Sequence, residues 1–296
     1  METDSLFSLR PTSIRVGANP VRLPSASIVL PGLVLLVAFV IPLVLLLRAS
    51  FAPSDAPQLW VGFTLDQYHA LGASVVIRAT WNAVYLAIVV SFAALVIAYP
   101  LAWLLAQMGR RAQTLWLILI LTTLSLSDVL VTFSWQVLLS RNLWLYRMLR
   151  AAGMTGASAS LVPSFGAAVC CVLYVAIPFS VMILYPALSR LDRQWVEAAR
   201  TMGAKPWRVF VSVVIPCTSS AIGITLILDC MLTFGAYVMP LVLGRPRDWT
   251  LAVLISDAAL NTDNLPGAAA LSVLMLAVTG ALAVVVWKLT RARRLA

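Results

Sequence analysis

Six long apolar runs alternate with short polar stretches along the chain. They cover about residues 28–47, 79–107, 114–138, 165–188, 211–243 and 267–287. About twenty helical residues span about 30 Å, the thickness of the hydrocarbon core of a bilayer, so each run is long enough to cross it. Inside hydrocarbon every backbone N–H and C=O group must be bonded within the protein, which favours helices. The pattern therefore predicts an all-α polytopic membrane protein with six transmembrane helices.

The polar stretches predict how the chain is oriented in the membrane. Residues 1–27 read as a cytoplasmic arm; the alternative is a signal peptide, but the leader is long and the run after it approaches full bilayer length. Lys and Arg residues gather in this arm, after the second run, around residues 189–212 and at the C-terminus, which indicates the inner side. We therefore expect both termini in the cytoplasm. Outside, we expect an interfacial helix within 140–164 and a short helix near Leu251–Leu260.

Composition narrows the class of protein. The chain is 61% hydrophobic and 11% charged, which excludes a soluble domain of this length. The net charge of +10 is explained by basic residues that flank apolar runs, so we expect no nucleic-acid partner. The four cysteines show no metal-ligand spacing, and we expect neither a metal site nor a bound cofactor. The two lysines of the chain, Lys205 and Lys288, do not complete a phosphate-binding loop, so any ATP hydrolysis would need a separate subunit.

The polar stretch from Glu197 to Pro216 has its own helical pattern. Asp192 is a good N-cap for a short helix, because its carboxylate can accept from free amides of the first turn. Gly203 would end that helix in the left-handed conformation, and Pro206 suits the first turn of a following helix. One face of the first helix is predicted to be apolar and small, and it contains Trp195, Ala198, Ala199 and Met202.

This stretch resembles the EAA loop of ABC importer permeases. Glu197-Ala198-Ala199 is followed at the family's spacing by Gly203 and by Val213-Val214-Ile215-Pro216, where relatives usually have Ile-x-Leu-Pro. The chain also resembles the spermidine/putrescine branch of these permeases. That resemblance is carried by Phe63–Tyr68, Leu173–Phe179, Leu191-Asp192 and Leu265–Ala269. Relatives often have an arginine where this chain has Val131, and the branch includes importers of other small solutes.

The resemblance implies a type I ABC importer permease fold over residues 28–296, with a cytoplasmic coupling loop at 189–212. It implies a permease subunit in the bacterial inner membrane that pairs with a second permease, as a heterodimer or less often a homodimer. Two ATP-binding subunits and an extracytoplasmic solute-binding protein would complete the importer. The residues implied to contact the ATPase are Trp195, Glu197, Ala198, Ala199, Arg200, Met202 and Gly203.

Two carboxylates lie within the apolar runs, Asp128 and Asp229. An ionised Asp near mid-bilayer costs about 3 kcal/mol, so each should face a polar partner or a water-filled path. Polar and aromatic residues follow each at helical spacing, and the predicted translocation path contains Asp128, Thr132, Trp135, Asp229, Thr233 and Tyr237. In this hypothesis the carboxylates attract a cationic solute. The alternative is structural: the carboxyl groups bond to neighbouring helices or a partner subunit, or are protonated.

Two other classes of protein compete with the importer permease. An autonomous secondary transporter or channel would need internal repeats and its own ion-coupling site, and no repeat is visible in the sequence. An integral-membrane enzyme would need a cluster of catalytic or metal-ligating residues, and one histidine with scattered acids does not supply it. A secondary transporter or channel would also leave the basic Glu197–Pro216 stretch without a purpose.

Overall fold

A computed structural model describes residues 25–53, 62–140, 148 and 161–292 of the chain. These residues form helices and their connections, without a strand. The chain divides between Leu45 and Leu46 into two compact units. Nearly all of the predicted arm at 1–27 lies outside the described residues, as does most of the predicted interfacial helix within 140–164.

The first unit contains most of helix α1, Ser25–Ser50. Its window Pro31–Ser50 has a mean hydropathy of 2.7 and is long enough to cross a membrane. The described side chains between Val29 and Leu45 are exposed or half-buried. Two prolines, Pro31 and Pro42, lie within the helix, each at the cost of one backbone hydrogen bond.

The second unit contains the other described helices, besides a 3₁₀ turn at Pro246–Asp248. In chain order they are α2 Asp66–Ala70, α3 Ser74–Gln107, α4 Arg110–Leu124, α5 Asp128–Leu138, α6 Phe165–Ser189, α7 Arg193–Thr201, α8 Pro206–Val209, a π-helical turn Phe210–Val214, α9 Ile215–Cys217, α10 Ser219–Phe234, α11 Val238–Leu243, α12 Leu251–Leu260 and α13 Leu265–Ala292. The short helix expected near Leu251–Leu260 is confirmed as α12.

Helix α3 organises the packing of the second unit. It packs along α6 and α10, while α10 also packs on α6 and α13, and α12 packs on α13. The buried face of α3 is rich in small residues, which let neighbouring helices approach closely. Its fully buried alanines are Ala83, Ala87, Ala94, Ala98 and Ala102. Close contact along this face places polar groups of α3, α6 and α10 within hydrogen-bonding distance of one another.

The count of six spans is reached only with two broken spans. Four continuous helices are long and apolar enough to cross a membrane, within α1, α3, α6 and α13. The other two spans are pairs of helices: α4 and α5 meet at 90°, and Pro206–Cys217 meets α10 at 73°. The predicted third span at about 114–138 is therefore not one straight helix, and neither is the fifth.

The break in the third span lies between two serines, Ser125 and Ser127. The Ser125 hydroxyl donates to Leu121 O at 2.9 Å, and helix α4 ends there. Ser127 is extended, with φ −64° and ψ 134°, and precedes the new helix that begins at Asp128. Serine is tolerated at such a break because its hydroxyl can bond nearby backbone groups, as the Ser134 hydroxyl also does inside the continuous helix α5.

The fifth span differs from the predicted run at about 211–243 at both ends. It begins earlier, at Pro206, and it breaks at Thr218, two residues after Pro216. Proline lacks the backbone N–H that a continuous helix would use, so a break near it is expected physically. The span ends at Phe234, and Gly235, Ala236 and Tyr237 separate it from the short helix α11.

Candidate functional site

The short helix α7 has the ends that its sequence predicts. The Asp192 carboxylate accepts from the Gln194 backbone N–H at 3.0 Å and caps the first turn. Gly203 follows the helix at φ +81°, a conformation that L side chains disfavour. Pro206 occupies the first turn of α8, where a missing N–H breaks no bond. These three local predictions are confirmed.

Helix α7 presents one group of residues to the protein and another to the surface. Val196 and Ala199 are buried in a cluster that includes Tyr99, Leu188 and Val209. The exposed residues include Trp195 at 64% and Met202 at 81% exposure, together with Glu197, Ala198, Arg200 and Gly203. Of the four residues predicted to share the apolar face, Ala199 packs inward beside Val196, whereas Trp195, Ala198 and Met202 are exposed.

Two cavities flank α7. The smaller, about 200 Å³, lies against the ends of α3 and α6 and is lined by Trp103, Ala106, Gln107, Leu188, Ser189, Leu191, Val196, Glu197 and Arg200. The larger, about 420 Å³, lies between the start of α7 and the break in the fifth span and is lined by Ala187, Arg190, Leu191, Asp192, Trp195, Cys217, Thr218, Ser220 and Ala221. Helix α7 is thus anchored by two buried side chains, with open space beside it.

A buried polar layer connects α3, α6 and α10. Asp229 is 0% exposed, and its Oδ2 accepts from the Ser180 hydroxyl at 2.6 Å. The Thr233 hydroxyl donates to Asp229 O at 2.7 Å and lies 3.5 Å from the Ser91 hydroxyl. Among the described residues, Asp229 Oδ1 has no hydrogen-bond partner. The Ser180–Asp229 bond favours one register of α6 against α10, because separating the two groups would leave both unpaired in a dry core.

The predicted path residues fall into two places. Asp229 and Thr233 are fully buried within the core of this chain. Asp128 is exposed and is the first residue of α5, at the break of the third span. Trp135 is half-buried and meets the Tyr174 ring edge-on, with ring centroids 6.0 Å apart.

The other two predicted path residues also differ in exposure. Thr132 is buried and donates to Asp128 O at 2.6 Å, so its hydroxyl is occupied by its own helix. Tyr237 is half-buried and immediately precedes α11. Asp128, Trp135 and Tyr237 therefore have exposed surface in this chain, whereas Thr132, Asp229 and Thr233 are buried.

Sequence reasoning missed the residues that connect these helices. Ser180 is a single serine in an apolar run, and its pairing with Asp229 depends on how α6 packs against α10. Tyr99 is a second such residue, because its hydroxyl lies 2.6 Å from Thr218 Oγ1 on another helix segment. The available signal was a polar group isolated in an apolar run, which must find a partner on another helix.

Comparison with known proteins gives consistent results. The family described as "Binding-protein-dependent transport system inner membrane component" matches residues 98–294. The spermidine/putrescine transport system permease protein PotB of Escherichia coli is 27% identical over 258 residues, covering 86% of this chain and 94% of that protein. A crystal structure of a bacterial ABC transporter that imports the acidic polysaccharide alginate matches with a TM-score of 0.73 at 16% identity, over 90% of this chain and 94% of that one. A chain of the MetNI methionine ABC transporter matches with a TM-score of 0.57 at 18% identity, over 74% and 95%.

Proposed function

Because the chain belongs to the family of binding-protein-dependent transport system inner membrane components, as the permease subunit of an ATP-driven (ABC) importer, we propose that its solute is a polyamine such as spermidine or putrescine, or a similar small solute. The observation that carries the proposal is the similarity to PotB, which extends over 86% of this chain. The relatives are transport components, so the chain is a permease rather than an enzyme, and they give no support to an autonomous transporter or channel.

The position of Asp128 supports a cationic solute. Its carboxylate is exposed in this chain, at a break within a membrane span. A charged group that faces lipid at this depth is costly, so the surface around Asp128 should face a partner subunit or a water-filled path. Trp135 lies two helical turns further along α5, on nearly the same side. A carboxylate with an aromatic ring nearby attracts an ammonium group by charge and by cation–π interaction.

The buried carboxylate has a different place in the proposal. Asp229 has no exposed surface and already bonds Ser180 on a neighbouring helix. A solute could reach it only if α6 and α10 moved apart. We therefore assign the solute contact to Asp128, Trp135 and Tyr237, and a packing role to Asp229 and Thr233 in the conformation described.

The exposed residues of α7 form the proposed ATPase contact. Trp195, Ala198 and Met202 lie at helical spacing, so they share one exposed side, beside the charged Glu197 and Arg200. A small apolar strip with charges at its edge suits the surface of a second protein. In the complete importer we expect two ATP-binding subunits, a second permease chain and an extracytoplasmic solute-binding protein. Movement of the ATPase dimer would then move α7, with both termini of this chain on the same inner side.

Uptake of labelled putrescine and spermidine by cells that express the whole system tests the solute. The cells carry wild-type chain, no chain, Asp128→Asn or Asp229→Asn, each at equal membrane abundance. We expect chain-dependent uptake that falls about tenfold with Asp128→Asn, because a lost charge interaction of about 1.4 kcal/mol corresponds to a tenfold weaker contact with the solute. Asp229→Asn is the matched control, since its amide can still bond Ser180, and we expect it to keep most uptake. Absence of chain-dependent uptake of both polyamines would contradict the proposed solute, and equal loss in both variants would contradict the assignment of Asp128.

A further inference from the structure

The inner half of the fifth span is built to bend. Residues Phe210–Val214 form a π-helical turn, and Pro216 follows within two residues. Proline cannot donate a backbone bond to the carbonyl four residues before it, here Ser212, so the wider turn relieves the conflict. Thr218 then leaves helical geometry, with φ −108° and ψ 14°, and the axis turns by 73°. The break concentrates the change of direction at one residue.

One hydrogen bond from α3 ends on that residue. The Tyr99 hydroxyl lies 2.6 Å from Thr218 Oγ1, with Tyr99 5% and Thr218 4% exposed. The Thr218 hydroxyl donates to Val214 O at 2.8 Å, which uses its single proton. Tyr99 must therefore be the donor to Thr218. The result is a buried chain of bonds that runs from α3, through the break, to the end of the π-helical turn.

The Tyr99 ring also holds the other end of the bent segment. It meets the Phe210 ring edge-on, with centroids 5.4 Å apart and planes at 69°. Phe210 begins the π-helical turn, and Trp103, one turn further along α3, lies 6.3 Å from the same ring. One side chain of α3 thus contacts both Phe210 and Thr218. It fixes the inner half of the span at two points, eight residues apart in sequence.

A cavity lies beside the break. This cavity of about 420 Å³ is lined by Cys217 and Thr218 of the span, and by Asp192 and Trp195 of the α7 segment (residues 192–203). A cavity of this size leaves room for the inner half of the span to move toward or away from α7. Val209 and Val214 pack in the core on one side, so the Tyr99 contacts act together with this packing in setting the angle.

We propose that Tyr99 is a positioning residue that sets the angle of the fifth span at Thr218, and through it the position of α7 against the ATPase. The inference rests on the proposed function, because it takes α7 as the ATPase contact. The inner half of the span begins at Pro206, five residues after Thr201, the end of α7, so a change of angle moves both. Without the Tyr99 bond, α7 should sample more positions, and the ATPase should hydrolyse ATP faster in the absence of solute.

The experiment uses the complete importer in liposomes, with no solute and no solute-binding protein. ATP hydrolysis is measured for wild type, Tyr99→Phe, Thr218→Val and the double variant. A net hydrogen bond of about 0.5–1.5 kcal/mol predicts a rise in solute-free ATPase rate of about 2- to 10-fold in each single variant. The double variant should be no higher than the larger single effect, because both changes remove the same bond. Thr218→Ser keeps the hydroxyl and should match wild type.

Tyr85→Phe is the matched control, because Tyr85 lies on the same helix but is exposed and contacts the Phe165 ring. It should leave the rate unchanged. A merely structural role for Tyr99 would lower both the ATPase rate and the thermal stability, and that result would overturn the inference, as would an unchanged rate or additive effects. If the importer with Thr218→Val does not assemble, the ATPase rates of Tyr99→Phe and Thr218→Ser still test the inference. If no ATP-binding subunit co-purifies with the wild-type chain, the proposed function fails together with the inference. If an ATP-binding subunit does co-purify and the ATPase rates of the variants equal that of wild type, only the inference fails.

Discussion

Replacing Gly203 by valine tests whether the end of α7 matters for coupling. Gly203 has φ +81°, and the next amide, Ala204 N, still bonds back to Ala199 O at 3.2 Å. A β-branched side chain is strongly disfavoured at this φ. No heavy atom lies within 4 Å of the place where a Cβ would be, so the substitution acts on the backbone and not through a clash.

The size of the effect follows from the backbone cost. A left-handed conformation costs an L residue about 1–2 kcal/mol, with valine at or above the upper end. An energy of about 1–2 kcal/mol changes the ratio of two conformations by about 5- to 30-fold. The turn after α7 is exposed, so we expect this cost to shift the orientation of α7 rather than unfold the protein.

The assay compares membrane abundance, solute uptake and stimulation of the ATPase in the complete importer. Gly203→Val should insert normally and lower both uptake and ATPase stimulation by about 5- to 30-fold. Gly203→Asn should keep more of both, because asparagine tolerates the left-handed region. Gly109→Val is the matched control: Gly109 is also in a loop with open space around it, but its φ is −64°.

Full uptake by Gly203→Val at normal abundance would refute the reasoning, since it would mean that the geometry of this turn is not used in coupling. A loss of uptake that Gly109→Val shares equally would also refute it, because a general effect of valine in a loop would then be enough.

Two further predictions concern single hydrogen bonds. Ser180→Ala removes the described hydrogen-bond partner of the Asp229 side chain and should destabilise the detergent-solubilised protein by about 1–3 kcal/mol, measured as a lower Tm. The double variant with Asp229→Leu should recover most of this loss of stability. Ser134→Ala is the control at an exposed position and should lower the Tm little. Equal Tm values for Ser180→Ala and wild type would contradict this. Asp192→Ala removes the cap on Gln194 N, which is worth about 1 kcal/mol, and should lower the hydrogen-exchange protection of Arg193–Thr201 about fivefold. Asp192→Asn keeps an accepting oxygen and should leave the protection unchanged. Unchanged protection in Asp192→Ala would show that the cap is not needed.

The local structure of α7 could be predicted because each feature depends on one or two neighbouring residues. A carboxylate before a helix, a glycine after it and a proline in the next first turn each have a strong conformational preference. Asp192, Gly203 and Pro206 all adopt the geometry expected from the sequence. The burial of Ala199 was not predictable in the same way, because it depends on how α7 packs against the ends of α3 and α6.

The breaks in the third and fifth spans show where apolar length misleads. A hydropathy pattern reports how many residues can sit in hydrocarbon, but it does not report the direction of the helix axis. Ser125 and Ser127 end and restart a helix with little change in hydrophobicity, and Pro216 does the same in the fifth span. Polar backbone groups at such breaks are tolerated only where protein or water can satisfy them.

The two carboxylates look alike in sequence and differ in three dimensions. Asp128 and Asp229 each stand in a polar stripe, and the stripe alone assigns both to a path. Packing separates them: α10 is surrounded by α3, α6 and α13, which buries Asp229, whereas α5 packs on α11 and α6 and leaves Asp128 exposed. Which helix neighbours which is a tertiary property, and so the partner Ser180 could not be named beforehand.

The measurement that tests the central claim most directly is photo-cross-linking from position 202 in the assembled importer. Met202 is the most exposed apolar side chain of the α7 segment, at 81%, so a photoreactive residue there should not disturb folding. Position 115 on α4 is the control, since Leu115 is also exposed but lies outside the segment. The account predicts a cross-link from position 202 to an ATP-binding subunit, with a yield that changes when ATP is added, and none from position 115. No cross-link from position 202, in an importer whose ATP-binding subunits co-purify, would contradict the assignment of α7 as the contact between the permease and its ATPase.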